Sequence, residues 1–179
     1  MQSETIIAGF GGQGVLFAGK LLAFAGLQAG YEVTWLPSYG PEMRGGTANC
    51  TVIISESEIG SPQVRNPKAA IVLNQPSLDK YEPLVQRGGY LIINQSMVNR
   101  SAQRSDLQVI SIPGTQVAEE LGDKRLTNMV LLGGLVKSTG FVALEAVEQA
   151  LKSESTEKQL KLLELNVKAL HKGAEYAGK

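Results

Sequence analysis

The sequence predicts an α/β protein with three layers: a mixed, mostly parallel sheet with helices on both faces. Short apolar runs of strand length alternate with longer segments of helical composition along the chain. A glycine-rich turn joins the first apolar run to the first helical segment. No long linker, low-complexity tract or fixed-period repeat divides the 179 residues. We therefore expect a single Rossmann-like domain over residues 1–179.

The first unit of the chain is a predicted strand, glycine turn and helix. Thr5–Ala8 is apolar and β-branched, and Val15–Ala29 is rich in Ala and Leu and lacks Pro. Between them, Gly9–Gly14 matches the G-x-G-x-x-G pattern. Such a turn presents backbone N–H groups and the positive end of a helix dipole to an anionic ligand. The alternative is a tight turn that serves only close packing of the helix on the sheet.

The glycine motif departs from the version that binds NAD. An NAD site needs an acidic residue at the end of the second strand, about 20 residues further on, to hold the ribose hydroxyls. The second strand is predicted over Glu32–Pro37, and its acidic residue stands at the beginning instead of the end. We therefore expect the glycine turn to bind an anionic ligand other than NAD.

A second glycine-rich loop, Ser38–Gly46, follows the second strand and precedes a predicted third strand, Thr47–Ser55. Nine residues are too few for a parallel crossover, which predicts an antiparallel third strand and a mixed sheet. If the first two strands are parallel, both loops emerge at the carboxyl edge of the sheet. Open α/β sheets bind their ligands at this edge.

The second loop carries four candidate binding residues. Arg44 offers a rigid fork of donors for phosphate or carboxylate, and Gly45 lets a ligand approach it. Tyr39 and Met43 supply adaptable apolar contact. The alternative is a solvated turn whose arginine has no special role.

The rest of the chain continues the alternation. Further strands are predicted at Ala69–Leu73, Tyr90–Asn94 and Leu107–Ile112. Helices are predicted from Asn74 to about Val85, from a Thr115 cap to Leu121, across Leu126–Val136, and from Ser155 to Tyr176.

The two helices that close the chain have unusual apolar faces. The first, Leu126–Val136, is apolar on all sides, so it must be buried in the domain or against another chain. Thr127 and Asn128 are predicted to cap it, with Asn128 facing a ligand as the alternative. The second, Ser155–Tyr176, carries a broad leucine stripe of coiled-coil type. Core packing is the main interpretation of that stripe, and an intersubunit surface, including a homodimer, is the alternative.

The composition of the chain argues against several classes of protein. Lys plus Arg and Asp plus Glu number 17 each, so net charge favours neither nucleic acid nor an anionic membrane. The first residues lack a signal-peptide pattern and no apolar run reaches membrane-spanning length, so we expect a cytoplasmic protein.

Cys50 is the only cysteine, within a predicted strand, and is expected to be a small buried hydrophobe. The only histidine, His171, is expected at the surface. The chain therefore offers neither a four-cysteine cluster nor a Ser-His-Asp or Cys-His catalytic arrangement.

Three linked motifs carry a resemblance to a known family. Gly9–Val15, Ser38–Gly46 and Asn128–Gly133 resemble, in order and spacing, the gamma subunit of 2-oxoacid:ferredoxin oxidoreductases. Within that family the chain is most similar to the 2-oxoglutarate and branched-chain 2-oxoacid types. The resemblance implies a heteromeric enzyme that oxidatively decarboxylates a 2-oxoacid, forms an acyl-coenzyme A and reduces ferredoxin.

The resemblance also implies how the work is divided. This chain would be structural and would contact coenzyme A without carrying a catalytic residue or a metal. Thiamine diphosphate, Mg²⁺ and [4Fe–4S] clusters would belong to partner chains, namely alpha and beta subunits, with a ferredoxin-like delta subunit as a further candidate. The expected coenzyme A contacts are Gly11, Gly12, Gln13, Gly14, Tyr39, Met43, Arg44, Gly45 and Asn128. The alternatives are a stand-alone Rossmann-type NAD(P)-dependent enzyme and a nucleotide-binding module without enzymatic activity.

Overall fold

A computed structural model describes residues 1–39, 47–154 and 160–178 of the chain. The strands in this part are β1 (Gln2–Phe10), β2 (Glu32–Tyr39), β3 (Thr47–Ser55), β4 (Ala69–Val72), β5 (Tyr90–Asn94) and β6 (Gln108–Ile112). The α-helices are α1 (Val15–Gln28), α2 (Gln75–Tyr81), α3 (Gly114–Glu120), α4 (Thr127–Thr139), α5 (Leu144–Glu154) and α6 (Leu160–Ala177). Single turns of 3₁₀-helix occur at Glu82–Leu84, Gln95–Met97 and Lys124–Leu126.

The six strands form one mixed sheet in the order β2-β3-β1-β4-β5-β6. β3 runs antiparallel to both β1 and β2, whereas β1, β4, β5 and β6 are mutually parallel. β1 and β2 therefore point the same way. Phe10 pairs with Thr47 and Tyr39 with Ala48, so both strands end at one edge. This confirms the predicted mixed sheet and the parallel direction of β1 and β2, whose carboxyl ends share one edge; residues 40–46 of the second glycine-rich loop lie outside the described residues.

Helices cover both faces of the sheet, as predicted, but unequally. Alternate strand residues such as Ile7, Val52 and Ile92 lie in the larger core, which also includes buried residues of α1, α3, α4, α5 and α6. The residues that point the other way, such as Ile6 and Leu91, form a smaller core with α2 and the segment that follows β5. The period-2 alternation of strand side chains thus divides the apolar residues between two cores.

Helix α4 is enclosed within the domain. Every residue from Thr127 to Val136 is buried. On one side, a Cβ atom placed on Gly134 would overlap the side chain of Ile112 in β6. On the other side, a Cβ atom on Gly133 would overlap the carbonyl oxygen of Leu170 in α6. The helix that is apolar on all sides therefore packs between the sheet and α6, and Gly133-Gly134 permits the close approach.

The final helix makes part of this contact with its buried residues. Ala169, Leu170 and Ala174 are buried, which confirms core packing for that part of the leucine stripe. Leu162 is 42% exposed, so the stripe also has a solvent-facing part.

Several predicted element limits were accurate. The bounds of β3 and β5 agree with the sequence prediction, and α1 ends one residue earlier than predicted. Asn74 caps α2, because its side chain accepts a hydrogen bond from Ser77 N–H at 3.0 Å. β2 extends two residues beyond the predicted Pro37, to Tyr39, because β3 supplies pairing partners that the local sequence does not reveal.

Three predictions about helices were wrong. The chain closes with three helices, not two, because α5 occupies Leu144–Glu154. Its signal was present, since Val147, Ala150 and Leu151 are buried at helical spacing. Thr115 does not cap α3, whose N-cap is Pro113. Likewise α4 begins after an N-cap at Leu126 that makes no side-chain cap bond, so neither Thr127 nor Asn128 caps it. The preceding 3₁₀ turn continues directly into α4 and takes the place of a capping residue.

The two single-copy residues lie where the sequence predicted. Cys50 is fully buried in β3, and burial raises the pKa of its thiol to about 12. It therefore behaves as a small apolar residue. His171 is exposed on α6, where its Nε2 lies 2.5 Å from Glu148 Oε1.

None of the helices in the described part combines the length and apolar character that crossing a membrane would require.

Candidate functional site

The candidate site lies where the strand order changes direction: the chain moves from β1 to one side of the sheet for β2 and β3, and then to the other side for β4, β5 and β6. β1 and β4 are adjacent and parallel. β1 continues into α1, whose buried residues belong to the larger core, whereas β4 continues into α2, which packs in the smaller one. The two connections therefore diverge to opposite faces and leave a crevice beyond the carboxyl ends of β1 and β4. Ligands of open α/β sheets bind at such a switch point.

The glycine turn after β1 has the predicted conformation. Gly12 and Gly14 have φ values of 89° and 73°, in the left-handed region that favours glycine. Gln13 N–H donates to the Phe10 carbonyl at 3.2 Å and closes the turn. Gly12 is exposed, and no atom lies within 4 Å of where its Cβ would be. The backbone at Gly12 is therefore open to a ligand, while Gly14 begins α1 as its N-cap.

The side chain of Gln13 folds back on the turn. Its Oε1 accepts from Phe10 N–H at 2.6 Å and from Asn74 Nδ2 at 3.2 Å. A Cβ atom on Gly9 would lie 2.6 Å from that oxygen, which explains the need for glycine there. Gln13 thus links the carboxyl ends of β1 and β4, and its carbonyl oxygen is committed to this link.

Asn128 connects the first turns of two helices. Its Nδ2 donates to the Gly14 carbonyl at 3.0 Å, and its Oδ1 accepts from Met129 N–H at 2.9 Å. The residue is 6% exposed. A Cβ atom on Gly14 would overlap the amide of Asn128, so glycine is required there for packing as well as for φ.

A cleft of about 350 Å³ opens beside the turn. This volume is at the lower end of the range for small-molecule sites. Gly12 and Gln13 form one wall. The other lining residues come from the segments after β5 and β6 and from the turn before α4: Met97, Thr115, Glu119, Lys124, Arg125 and Thr127.

Sequence reasoning did not assign these six residues to a site, and it treated Thr115 and Thr127 only as caps. A signal existed, because parallel strands bring the segments after β1, β4, β5 and β6 to one edge. The pairing that brings them together is a tertiary property, so the segments look unrelated in the sequence.

A buried asparagine fixes the wall opposite the turn. Asn94, fully buried at the end of β5, donates to the Leu73 carbonyl at 3.1 Å and to Thr115 Oγ1 at 3.0 Å. Its Oδ1 accepts from Thr115 N–H at 3.3 Å. The end of β4 and the first turn of α3 are thus held to β5 by one side chain whose polar atoms are satisfied.

The cations of the cleft lie on the turn Lys124–Leu126. The Arg125 guanidinium is paired with Asp123, with Nη2–Oδ2 at 2.6 Å. Hydrogen bonding from Arg125 lowers the pKa of the Asp123 carboxyl, and the same bond raises the pKa of Arg125. In the described part of the chain Lys124 has no ion-pair partner.

The chemistry available in the cleft is recognition of an anion. Backbone N–H groups, the Thr115 hydroxyl and the Lys124 ammonium group are donors for phosphate or carboxylate. No group of three or more His, Cys, Asp or Glu side chains arranged to hold a metal occurs in ranges 1–39, 47–154 and 160–178.

The structure brings together only some of the predicted site residues. Gly12 and Gln13 line the cleft, and Gly11 and Gly14 belong to the same turn. Tyr39 ends β2 at the same edge of the sheet. Met43, Arg44 and Gly45 lie outside the described residues.

The comparisons with known proteins agree with this architecture. The family model for pyruvate ferredoxin/flavodoxin oxidoreductase matches residues 4–176. The chain belongs to this family.

Curated members of the oxidoreductase family resemble the chain either over part of their length or over nearly all of it. The ketoisovalerate oxidoreductase subunit VorA of Methanothermobacter marburgensis is 38% identical over 175 residues, covering 97% of this chain but 36% of VorA. The chain thus spans about a third of the length of VorA. The 2-oxoglutarate synthase subunit KorC of Methanocaldococcus jannaschii is 35% identical over 180 residues, with 99% and 95% of the two chains covered.

Solved structures of the oxidoreductase family have the same fold. The gamma subunit of a keto/oxoacid ferredoxin oxidoreductase from Geobacter sulfurreducens has a TM-score of 0.87 at 32% identity, covering 99% of this chain and 97% of that one. The 2-oxoglutarate:ferredoxin oxidoreductase of Magnetococcus marinus, with 2-oxoglutarate, coenzyme A and succinyl-CoA bound, has a TM-score of 0.90 at 23% identity. The match covers 99% of this chain and 31% of that chain, and it supports the fold alone.

Proposed function

We propose that this chain is the gamma subunit of a multisubunit 2-oxoacid:ferredoxin oxidoreductase and carries no chemical step itself. The observation that supports this most strongly is end-to-end similarity to chains of the same size. KorC and the Geobacter gamma subunit are each covered over at least 95% of their length. The whole enzyme would decarboxylate a 2-oxoacid oxidatively, form an acyl-coenzyme A and reduce ferredoxin.

The proposed role of this chain is to shape the complex and to contact coenzyme A. The exposed backbone at Gly12 and the start of α1 suit a phosphate group, because the turn is open at Gly12 and the first N–H groups of a helix have no partner within it. Arg44 is proposed to hold a second anionic group of coenzyme A, and Tyr39, Met43, Gly45 and Asn128 are proposed as further contacts.

The redox and carbon chemistry is proposed to lie on partner subunits. With one cysteine in its sequence, this chain cannot supply the four thiolates of an iron–sulfur cluster. Alpha and beta subunits would hold thiamine diphosphate and Mg²⁺. The [4Fe–4S] clusters would be held by the same subunits or by a delta subunit. Ferredoxin would accept the electrons. The cytoplasm as the location stays a prediction from the sequence.

We favour 2-oxoglutarate over ketoisovalerate as the substrate. The similarity to KorC, a 2-oxoglutarate synthase subunit that is 35% identical over 180 residues, supports this choice. Assaying the assembled enzyme with both acids tests the choice, and a clear preference for ketoisovalerate would reverse it.

Arg44 provides the direct test of coenzyme A contact. In the assembled enzyme, Arg44→Ala should raise the apparent KM for coenzyme A about tenfold, because a charge-assisted hydrogen bond to an anionic group is lost. The KM for the 2-oxoacid should stay the same. Arg65→Ala, in the irregular segment between β3 and β4, is the matched control. An unchanged KM for coenzyme A in the Arg44 variant would show that the assignment is wrong.

The rival function is a stand-alone NAD(P)-dependent or nucleotide-binding protein. β2 ends in Ser38 and Tyr39, so the acid that holds the ribose hydroxyls in NAD sites is missing from the expected position. Titration of the isolated chain with NADH, ATP and coenzyme A separates the two proposals. Tight NADH binding together with failure to co-purify with thiamine- and cluster-bearing chains would favour the rival.

A further inference from the structure

We propose that Lys124 is the residue that selects an anion in the cleft and that it contacts a phosphate or pyrophosphate group of coenzyme A. This inference rests on the proposed function for the identity of the ligand. It rests on the geometry of the cleft for the choice of residue.

The position of Lys124 is well defined by its backbone. The turn Lys124–Leu126 begins at Asp123, whose Oδ1 accepts from Arg125 N–H at 2.9 Å. Thr127 Oγ1 donates to the Lys124 carbonyl at 2.7 Å. Two side-chain bonds therefore fix a single turn between α3 and α4, and the start of the Lys124 side chain is held at the rim of the cleft.

The two cations of this turn differ in what they can offer a ligand. The Arg125 guanidinium is engaged by both carboxylate oxygens of Asp123, with Nε–Oδ1 at 3.0 Å and Nη2–Oδ2 at 2.6 Å. Its Nε and Nη2 groups are therefore already engaged by a neighbouring carboxylate. Lys124 is exposed and forms no ion pair with any residue that the structure describes, so its three ammonium donors remain for a ligand.

A hydroxyl donor lies in the same cleft. Thr115 Oγ1 accepts from Asn94 Nδ2 at 3.0 Å and lies 3.5 Å from Thr127 Oγ1, a weak contact. Because Thr127 donates its own hydrogen to the Lys124 carbonyl, the hydroxyl hydrogen of Thr115 can turn to a ligand oxygen. The exposed backbone at Gly12 lines the opposite wall. Three kinds of donor thus converge from three segments, as a group with several acceptor oxygens requires.

One carboxylate opposes the anion. Glu119 also lines the cleft, and it is exposed. An anionic ligand is therefore attracted by Lys124 and repelled by Glu119, so neutralising these two residues should change affinity in opposite directions.

The test begins with inorganic pyrophosphate as the probe and the 179-residue chain at low ionic strength. Isothermal titration calorimetry should show binding that Lys124→Gln weakens about tenfold. Glu119→Gln should strengthen it about threefold. Lys137→Gln is the matched control, since this exposed lysine lies in the last turn of α4, at the end of the helix away from Lys124. No measurable pyrophosphate binding, or equal binding by Lys124→Gln and Lys137→Gln, would overturn the proposal.

A second arm identifies the ligand in the assembled enzyme. Lys124→Gln should raise the KM for coenzyme A about tenfold and leave the KM for the 2-oxoacid unchanged. Repeating the assay with dephospho-coenzyme A assigns the contact: if Lys124→Gln no longer affects KM, the contact is to the 3′-phosphate, and if the effect persists, it is to the pyrophosphate. Both results support the proposal.

The two proposals can fail separately. If Arg44→Ala raises the KM for coenzyme A and Lys124→Gln does not, the role of Lys124 is refuted and the coenzyme A function stands. If pyrophosphate binding depends on Lys124 but neither variant changes the KM for coenzyme A, the cleft binds free phosphate ions, which refutes the link to coenzyme A.

Discussion

At the scale of single residues, Glu82 shows how one buried carboxylate closes the smaller core. It is 2% exposed. Its Oε2 accepts from Arg100 Nη1 at 2.7 Å, and its Oε1 accepts from Arg104 N–H at 3.0 Å and from Gln103 N–H. Burial alone would raise the pKa of Glu82, but these bonds outweigh burial and lower it from its ordinary value of 4.5. The segment that follows β5 is therefore anchored to the end of α2.

Glu82→Gln should lower the free energy of unfolding by about 2 kcal/mol at pH 7, because an ion pair is lost and its partners are poorly satisfied. The folded-state pKa lies below the unfolded value, so this stabilisation is present above about pH 4.5 and is lost as pH falls through the folded-state pKa. Urea denaturation at pH 7 and at pH 3 should show the gap between wild type and variant shrinking with acidity. Glu58→Gln, at an exposed carboxylate, is the control and should match wild type. A gap that is equal at both pH values would contradict this role of Glu82.

At the scale of elements, the crossing of α4 and α6 depends on paired glycines. A Cβ atom on Gly133 would overlap the Leu170 carbonyl oxygen, and one on Gly173 would overlap the Val130 carbonyl oxygen. The two backbones touch directly, which only glycine permits. The approach brings α6 onto α4 and buries the apolar face that α4 turns away from the sheet.

Gly133→Ala and Gly173→Ala should each destabilise the protein by about 3 kcal/mol, because the helices must move apart in a well-packed core. The higher intrinsic helix propensity of Ala recovers only about 1 kcal/mol. Thermal denaturation followed by circular dichroism measures the effect. Gly60→Ala is the control, since no atom lies within 4 Å of its Cβ position and its φ is not in the left-handed region. Equal melting temperatures for the Gly133 and Gly60 variants would be inconsistent with a backbone-to-backbone crossing.

At the scale of the whole molecule, the chain combines two buried cores with a surface that carries an open cleft and exposed apolar side chains. The cleft at the carboxyl edge contains donors for an anion. Apolar side chains at the surface, Phe17 and Leu162, are each 42% exposed near the first turns of α1 and α6. This combination suits a subunit that works with other chains.

The purified chain alone should therefore not turn over any 2-oxoacid, with or without added thiamine diphosphate, coenzyme A and ferredoxin. Turnover should appear when the thiamine- and cluster-bearing subunits are added. Its rate should rise in proportion to the amount of this chain. Reduction of ferredoxin, followed by absorbance, measures both. Activity of the lone chain would refute the division of labour proposed here.

Much of the fold and part of the site could be predicted from the sequence, because the signals are local. Strand and helix periods, the glycine turn and the short loop before Thr47 each depend on a few consecutive residues, and they were enough to predict the mixed sheet and its ligand-binding edge. The roles of Thr115 and Thr127 could not be predicted, because their hydrogen-bond partners are set by neighbouring elements. The capping interpretation used only local sequence.

The sequence by itself determined the class of fold, the open glycine turn at Gly12 and the lack of any cysteine set for a cluster, since these follow from residue type and spacing. Only the tertiary structure decided that α4 lies between the sheet and α6, that Gln13 and Asn128 tie the turn to neighbouring elements, and that Lys124 and Thr115 share one cleft with Gly12. The physical reason is that parallel strand pairing brings segments more than a hundred residues apart to a single edge of the sheet, and no local pattern in the chain encodes that meeting.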